Sequence, residues 1–265
     1  CASEMRTLAP TAAELGIAVI GGGHCHERVT EKVNGVTLIE SGADMQAYAR
    51  AELSFDMESE KVVSSAASIH DNTNGPPDPQ IAAIVADWQA QADAQLSQVI
   101  GYVEQPISRN SAPMHNMVTD SWLVSFPSAS VSVTNRGGIR QDIPAGDITL
   151  GTMVGVLPFE NVILELDLTG NQLLSFIENS SLVVGGMTTI GGYTLSNGQP
   201  IVVDSTYKVL TTDYLYAVTN NLALYDPAPY NTAVNYRQPV IDWIRSLNTS
   251  TTNPLDRYLD TVARQ

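Results

Sequence analysis

A cluster of chain-breaking residues at 70–77 (HDNTNGPP) divides the sequence and constrains every fold that it can adopt. A helix-like segment and short strand-like runs precede the cluster, at residues 2–15, 17–20, 36–39, 51–55 and 61–63. Such a segment is small for a free-standing core, so we expect it to be the end of a larger domain. Asp78 and Pro79 follow the cluster and are typical of the cap and first turn of a helix.

Helix and strand patterns alternate after the cluster. One long helix is predicted from its apolar positions, Ile81, Ile84, Val85, Trp88, Leu96, Val99 and Ile100. Further helices are predicted at 114–122, 238–247 and 255–263, and strand-like runs at 123–133, 161–168 and 207–210. Thr169 and Gln172 form a capping-box pattern. The fold class is therefore mixed α and β, of the α+β kind.

Charge and hydrophobicity exclude two classes of partner. The net charge of −15, with 13 basic residues against 28 acidic ones, argues against a nucleic-acid polymer, because phosphate backbones need clustered Lys and Arg. No apolar run approaches the roughly 18–20 residues of a membrane helix, so no membrane span is predicted. Two cysteines, Cys1 and Cys25, define no disulfide framework and leave the redox compartment open.

The stretch at 135–140 (NRGGIR) is the first candidate for binding chemistry. A strand-like run enters it, and two glycines allow the backbone to approach a ligand closely. The carboxamide of Asn135 and the guanidinium of Arg140 suit an anion or a planar polar group. The alternative is a Gly-rich turn with a solvated arginine.

The stretch at 21–26 (GGGHCH) is the second candidate. His24 and His26 lie two residues apart just past a strand, so both imidazoles can ligate one metal site. The alternative is a polar loop whose histidines bond only water or backbone. A dinucleotide site is disfavoured, because no G-x-G-x-x-G is present.

These motifs together carry a family resemblance. Residues 17–26 resemble the last metal motif of the calcineurin-like metallophosphoesterases, and residues 33–42 resemble the segment that follows it in the 5′-nucleotidase family. Five further segments resemble the C-terminal substrate domain of that family and follow one another in the right order: residues 135–140, 143–149, 156–161, 168–173 and 207–209. The resemblance implies three parts. Residues 1–70 would end a β-sandwich-like metallophosphoesterase domain, 71–77 would be a linker, and 78–265 would be a mixed α/β substrate-binding domain.

The resemblance also implies a two-metal site and a nucleotide site. Divalent ions such as Zn²⁺ or Mn²⁺ would be the cofactors, with His24 and His26 among their ligands. The substrate-binding residues implied are Arg109, Asn135, Gly138, Arg140, Phe159 and Tyr214. Phe159 and Tyr214 would stack on the base, at about 1–3 kcal/mol each. A core role for Phe159 is the alternative.

Two departures from the family pattern limit the expected activity. Residues 217–223 lack the aspartate that helps family members hold the nucleoside. The D-x-H, G-D-x-x-D and G-N-H-E metal motifs are absent, and the chain resembles a segment that starts just after another metal-ligand histidine. We therefore expect the isolated chain not to hydrolyse phosphate esters, while a longer parent would. The missing N-terminal half of its metal domain is then an expected partner.

The leading hypothesis is the C-terminal portion of a secreted, periplasmic or cell-surface 5′-nucleotidase-like phosphohydrolase that takes part in nucleotide catabolism. The alternative is a non-catalytic module that binds nucleosides or nucleotides, either a pseudoenzyme or a processed fragment. A third hypothesis makes Cys1 a lipid-anchored terminus. Nucleoside monophosphates, cyclic nucleotides and nucleotide-sugars are all candidate substrates.

Overall fold

The computed structural model describes residues 1–73, 75–178, 181–219 and 221–265, and the chain divides into two units, Cys1–Val85 and Ala86–Gln265. The division falls inside helix α2, Pro79–Leu96. The predicted linker at 71–77 lies within the first unit, and its Asn74 is outside the described residues.

The first unit combines one helix with two small β structures. Its elements are α1 Ala2–Glu14, β1 Val19–Gly21, β2 Arg28–Val33, β3 Val36–Ser41, β4 Ala47–Asp56 and β5 Lys61–Asp71. Within residues 1–73, β3 is the middle strand of a three-stranded sheet, parallel to β1 and antiparallel to β2. Strands β4 and β5 form a separate antiparallel hairpin with a bulge at Ser54 and Phe55.

The core of the first unit is small and consists mainly of one helix face on one sheet. Met5 and Ala9 of α1 pack in one cluster with Val36 and Leu38 of β3. A disulfide between Cys1 and Cys25, with Cα atoms 5.0 Å apart, adds a covalent link. Disulfides are typical of oxidising compartments, which the cysteine count alone left open.

The second unit is built around a twisted mixed sheet. Its elements after α2 are β6 Val99–Val103, α3 Ala112–Ser125, β7 Val131–Asn135, β8 Gly146–Thr149, α4 Leu150–Val156, β9 Val162–Thr169, α5 Gly170–Ile177, β10 Leu182–Gly185, β11 Met187–Thr188, β12 Thr194–Leu195, β13 Thr206–Thr212, α6 Asp213–Val218, α7 Leu222–Tyr225, β14 Tyr230–Asn235 and α8 Gln238–Ser246. In its described part, five strands pair in the order β10-β7-β13-β9-β14. Strand β13 is parallel to β7 and antiparallel to β9.

Two hydrophobic clusters cover the two faces of this sheet. Neighbouring residues of β13 join different clusters: Leu210 packs with the α3 and α8 residues, and Val209 packs with the α5 residues. Adjacent strand residues point to opposite faces, so each face is covered by its own helices. Trp122 of α3 is fully buried, and its indole N–H donates to the carbonyl of Tyr236 at 2.8 Å.

Several predicted elements are confirmed, and others are wrong in their extent. The capping box at Thr169 and Gln172 is formed on α5. The long predicted helix ends at Leu96, because Val99 and Ile100 belong to strand β6, which pairs with β8. None of the 18 residues of α2, all of them described, is buried, so its apolar face is solvent-exposed.

Two further corrections concern helix ends. Residues 123–125 belong to α3, and the strand that leads to Asn135 begins only at Val131. The predicted helix at 255–263 is a single 3₁₀ turn, Leu255–Tyr258, followed by extended chain. Hydrogen bonds from Asn116 to the carbonyls of Asp260 and Val262 hold that extended segment, so tertiary contacts override its helical pattern.

Within the described residues, no helix combines the length and apolarity needed to cross a bilayer.

Arg264 attaches the C-terminal segment to α3. Its guanidinium donates to both carboxylate oxygens of Asp120, at 2.6 and 2.7 Å, and to Asp260 at 2.8 Å. The Arg264 side chain is only 15% exposed. A fork of charge-assisted hydrogen bonds at a partly buried site stabilises more than a solvated ion pair does.

Replacing this arginine should therefore destabilise the second unit. We expect Arg264→Ala to lower the free energy of unfolding by about 1–3 kcal/mol, because it leaves Asp120 without its fork. Arg257→Ala is the matched control, since Arg257 is exposed and makes no ion pair within the described residues. Urea denaturation measures both variants. Equal stability of the two would contradict a structural role for the fork.

Candidate functional site

The turn after β7 brings an amide side chain over two glycines. Residues Arg136–Gly138 form a 3₁₀ turn, and the Arg140 N–H donates to the carbonyl of Val156 at 2.8 Å. A Cβ on Gly138 would lie 3.1 Å from Oδ1 of Asn135, and one on Gly137 would lie 3.4 Å from its Nδ2. The glycines therefore leave the space that the Asn135 carboxamide occupies.

Two arginines meet at this turn. Arg109 donates from Nη1 to the carbonyl of Arg140 at 2.9 Å, and its backbone N–H donates to Oδ1 of Asp142 at 2.7 Å. Arg140 donates from Nη1 to the carbonyl of Gly137 at 3.3 Å. Both arginine residues are exposed. Two solvent-accessible guanidinium groups on one turn can hold an anion such as a phosphate group.

A buried tyrosine joins this turn to Phe159. The hydroxyl of Tyr236 accepts from the Phe159 N–H at 3.2 Å and donates to the carbonyl of Gly138 at 3.3 Å. Tyr236 is 1% exposed, and its burial raises the pKa of the phenol to about 12, so the hydroxyl remains a donor at neutral pH. Phe159 itself is 43% exposed, so its ring lies outside the hydrophobic core.

The segment before Phe159 has a second support. Arg237 donates from Nη1 to the carbonyl of Leu157 at 2.8 Å and forms an ion pair with Glu160. Residues 157–160, which carry the exposed ring of Phe159, are thus bonded to Arg237 at the start of α8.

Asn135 also lines a cavity of about 420 Å³ together with Tyr214. Phe176, Leu182 and Leu215 contribute apolar walls to it, which is the mixture of lining groups typical of small-molecule sites. Tyr214 is 48% exposed. Phe159 does not line this cavity.

Asp213 connects Tyr214 with the strand that follows Phe159. Its Oδ1 accepts from the Tyr214 N–H at 2.8 Å and from the Val162 N–H at 3.2 Å. Hydrogen bonds therefore run between the segments that carry the six predicted substrate-binding residues of the second unit. Arg109, Gly138, Arg140 and Phe159 are joined through the turn and Tyr236, and Asn135 and Tyr214 share the cavity.

His24 and His26 belong to the first unit, in the loop after β1. Both are exposed and adopt the left-handed conformation, with φ of 72° and 58°, which is uncommon outside glycine. Cys25 between them is in the disulfide. The loop is also held at Glu27, whose carboxylate accepts from the Ala2 N–H at 2.7 Å.

The two imidazoles do not form a complete metal site. Within the described ranges, no group of three or more His, Cys, Asp or Glu side chains is placed to hold a metal ion. Disulfide bonding removes the Cys25 thiolate as a ligand. Two histidine side chains alone are fewer ligands than a protein-bound metal ion usually has.

The residues that sequence reasoning missed are the supports of the site. Tyr236 lies 77 residues from Phe159 and 98 residues from Gly138, and no motif marks it. Asp213 directly precedes Tyr214, and no local sequence pattern marks its carboxylate as a partner of the Val162 N–H. The stretch at 217–223, which lacks the family aspartate, spans the end of α6 and the start of α7, and its Asn220 lies outside the described residues.

Comparison with known proteins finds a matching family model and several relatives. A family model described as "5'-nucleotidase, C-terminal domain" matches residues 90–193. The endonuclease YhcR of Bacillus subtilis is 25% identical over 80% of this chain and 19% of its own length. The trifunctional nucleotide phosphoesterase protein YfkN of the same organism is 25% identical over 83% of this chain and 18% of its own length. The cell wall protein Lmo0130 of Listeria monocytogenes is 23% identical over 83% of this chain and 34% of its own length. The chain thus spans from under a fifth to about a third of these relatives.

Solved structures show the same fold. The 5'-nucleotidase precursor from Thermus thermophilus superposes with a TM-score of 0.69 at 19% identity, over 97% of this chain and 61% of that one. The putative 5'-nucleotidase from Staphylococcus aureus superposes with a TM-score of 0.68 at 18% identity, over 90% of this chain and 55% of that one. Residues 90–193 of the chain therefore match the C-terminal domain of the 5′-nucleotidase family, and the fold is the one that solved 5′-nucleotidases have.

Proposed function

We propose that the second unit binds a nucleotide and that the chain is the C-terminal portion of a 5′-nucleotidase-like phosphohydrolase. One observation carries the proposal: the Tyr236 hydroxyl bonds both to the glycine turn and to the backbone of an exposed phenylalanine. Groups that suit a phosphate and a ring that suits a base are thereby linked through one buried side chain. The relatives that carry nucleotide phosphoesterase names support the substrate class.

Each part of the nucleotide has a matching group. Arg109 and Arg140 would bind the phosphate, since both guanidinium groups are exposed at the turn. Phe159 and Tyr214 would stack on the base, as two aromatic side chains whose rings are about half exposed. Asn135 would bond a polar group of the nucleoside from the cavity it shares with Tyr214.

The proposed metal centre needs more ligands than His24 and His26 supply. His24 and His26 would supply two ligands to a divalent-metal site, and a dinuclear centre needs several more. We therefore derive no catalytic step from these residues. The remaining ligands would come from the N-terminal half of the metallophosphoesterase domain, with residues 1–70 as its end.

A second function is favoured by the same shortage of metal ligands. Without a completed metal centre, the second unit would act as a nucleotide-binding module, because its glycine turn and aromatic side chains need no metal for their geometry. The two functions differ in whether AMP is only bound or also hydrolysed.

The disulfide of the first unit is in line with an exported location. The bond between Cys1 and Cys25 forms in oxidising compartments and is rare in the cytosol. We propose a secreted, periplasmic or cell-surface protein that takes part in nucleotide catabolism. The cell wall name of the Listeria relative is in line with that location.

Removing the Phe159 ring tests the stacking role. Phe159→Ala should raise the Kd for AMP about tenfold or more, since base–aromatic stacking contributes about 1–3 kcal/mol. Phe55→Ala is the control, because Phe55 is equally accessible at 53% exposure but lies on the hairpin of the first unit. Titration calorimetry measures both. An unchanged constant in Phe159→Ala would remove Phe159 from the site.

Removing the Tyr236 hydroxyl tests its positioning role. Tyr236→Phe leaves the Gly138 carbonyl and the Phe159 N–H without their shared partner, so we expect a loss of about 1–3 kcal/mol in unfolding free energy and weaker AMP binding. Tyr258→Phe is the matched control, since among the described residues its hydroxyl bonds only to the side chain of half-buried Asn253. If both variants bind AMP like the parent chain, Tyr236 does not position the site.

A hydrolysis assay separates the two proposed functions. We expect the isolated chain to bind AMP but to release no phosphate from it in the presence of Mn²⁺ or Zn²⁺, because its metal ligands are too few. Phosphate release is followed colorimetrically, with binding by calorimetry as the control for folding. Robust turnover by this chain would contradict the expectation.

A further inference from the structure

The disulfide of the first unit ends in the loop that carries both exposed histidines. Cys25 lies between His24 and His26, and its bonded partner Cys1 is the N-cap residue of α1. Cys25 is exposed and Cys1 is half-buried, so a reductant in solution can approach the bond from the loop side. Sulfur and imidazole, the two side-chain groups that zinc prefers, are therefore concentrated at one end of α1.

The backbone of this loop is strained at its histidines. The Cys25 N–H donates to the carbonyl of Gly23 at 2.9 Å, and His24 between them has a φ of 72°. This combination is typical of the rare kind of γ-turn, which is strained. His26 adopts the left-handed conformation as well, with a φ of 58°. Such strain persists only where other contacts hold the backbone, so breaking the disulfide would let the loop relax.

The imidazoles of this loop are free to turn. Among the described residues, neither His24 nor His26 makes a side-chain hydrogen bond, an ion pair or a ring contact, and both are exposed. His70 of the same unit differs, because its ring is bonded to Ser68 and stacked on Tyr48. Rotation of the two loop imidazoles toward a common ligand therefore breaks no contact of the fold.

Glu27 keeps the loop beside α1 independently of the disulfide. Its carboxylate accepts from the Ala2 N–H at 2.7 Å, and its own N–H donates to the carboxylate of buried Glu40 at 3.1 Å. Ala2 follows Cys1 directly, and Glu27 lies two residues after Cys25. The Cα atoms of the two cysteines are 5.0 Å apart in the disulfide form. These hydrogen bonds would keep the two thiols close together after reduction.

We propose that reduction of the disulfide converts this loop into a zinc site, with the thiolates of Cys1 and Cys25 and the imidazoles of His24 and His26 as ligands. In the disulfide form, the described part of the chain places no three metal-binding side chains together. Reduction supplies two sulfur ligands that this form lacks. Two thiolates and two imidazoles are a common ligand set of tetrahedral structural zinc sites.

A thiol–disulfide exchange connects the two states. A dithiol attacks the protein disulfide, is itself oxidised to a disulfide, and leaves one thiol each on Cys1 and Cys25. Zinc binding then releases the two thiol protons. A low-molecular-weight disulfide reverses the exchange and expels the metal. The site is therefore open to zinc only under reducing conditions, and it depends neither on the nucleotide site nor on the two-metal centre proposed above.

Metal titration of the intact chain in both redox states tests the proposal. Zn²⁺ is titrated in competition with a chromophoric chelator, before and after reduction with a phosphine. Co²⁺ is titrated in parallel, because thiolate ligation gives it a charge-transfer absorption band. We expect one zinc ion per reduced chain, bound about a hundredfold or more tighter than by the disulfide form.

Histidine variants give the matched comparison. His24→Ala combined with His26→Ala should weaken zinc binding by the reduced chain about tenfold or more, because it removes two ligands. His70→Ala is the control, since His70 is an exposed histidine of the same unit that lies on the hairpin, and it should leave the affinity unchanged. Cys25→Ser should weaken the thiolate band of the cobalt complex. Circular dichroism checks that each variant folds.

Each result either supports the proposal or overturns it. Equal zinc affinity of the two redox states would overturn it, and so would a cobalt complex without the thiolate band. Unchanged affinity in the double histidine variant would leave a pair of thiols rather than the proposed site. One metal ion per two chains would overturn a site within one chain. If a variant does not fold, the two redox states of the parent chain decide. AMP binding is measured separately, so failure here leaves the nucleotide site untouched.

Discussion

The hydroxyl of Tyr236 is the interaction on which the candidate site depends. It accepts one hydrogen bond and donates another, and so joins the carbonyl of Gly138 to the N–H of Phe159. The same residue accepts from the Trp122 indole through its carbonyl, which links the site to the fully buried centre of the larger core. A phenol whose pKa is raised to about 12 remains protonated at physiological pH, so the link does not titrate there.

Local patterns predicted the parts of the site that are contiguous in sequence. Gly137 and Gly138 predicted close approach of the backbone to a ligand, which stays a prediction, and in the structure the Asn135 side chain lies against their Cβ positions. The Thr169 and Gln172 pattern predicted a capping box because both partners lie within one helical turn. The family resemblance supplied the order of motifs, and a family model described as "5'-nucleotidase, C-terminal domain" matches residues 90–193. The roles of the individual site residues stay predictions.

Local sequence patterns could not predict contacts between residues that lie far apart in the sequence. Tyr236 is 98 residues from Gly138, and nothing in its neighbourhood marks it as a bridge. Val99 and Ile100 continue a helical apolar period, yet pairing with β8 makes them strand, since the sheet ladder outweighs a weak propensity. The bond between Cys1 and Cys25 needs the fold of α1 on its sheet to bring the two residues together. In each case a partner far along the chain decides the local structure.

The charge distribution implies that the proposed phosphate site would have to bind an anion through direct contacts. At a net charge of −15 the chain repels anions at long range, so diffusion is not steered toward the site. At physiological ionic strength this repulsion fades beyond about 8 Å. In the proposed nucleotide site, Arg109 and Arg140 at the turn would act well inside that distance. Hydrogen bonds from these two exposed arginines, rather than the overall field of an acidic protein, would then select a phosphate group.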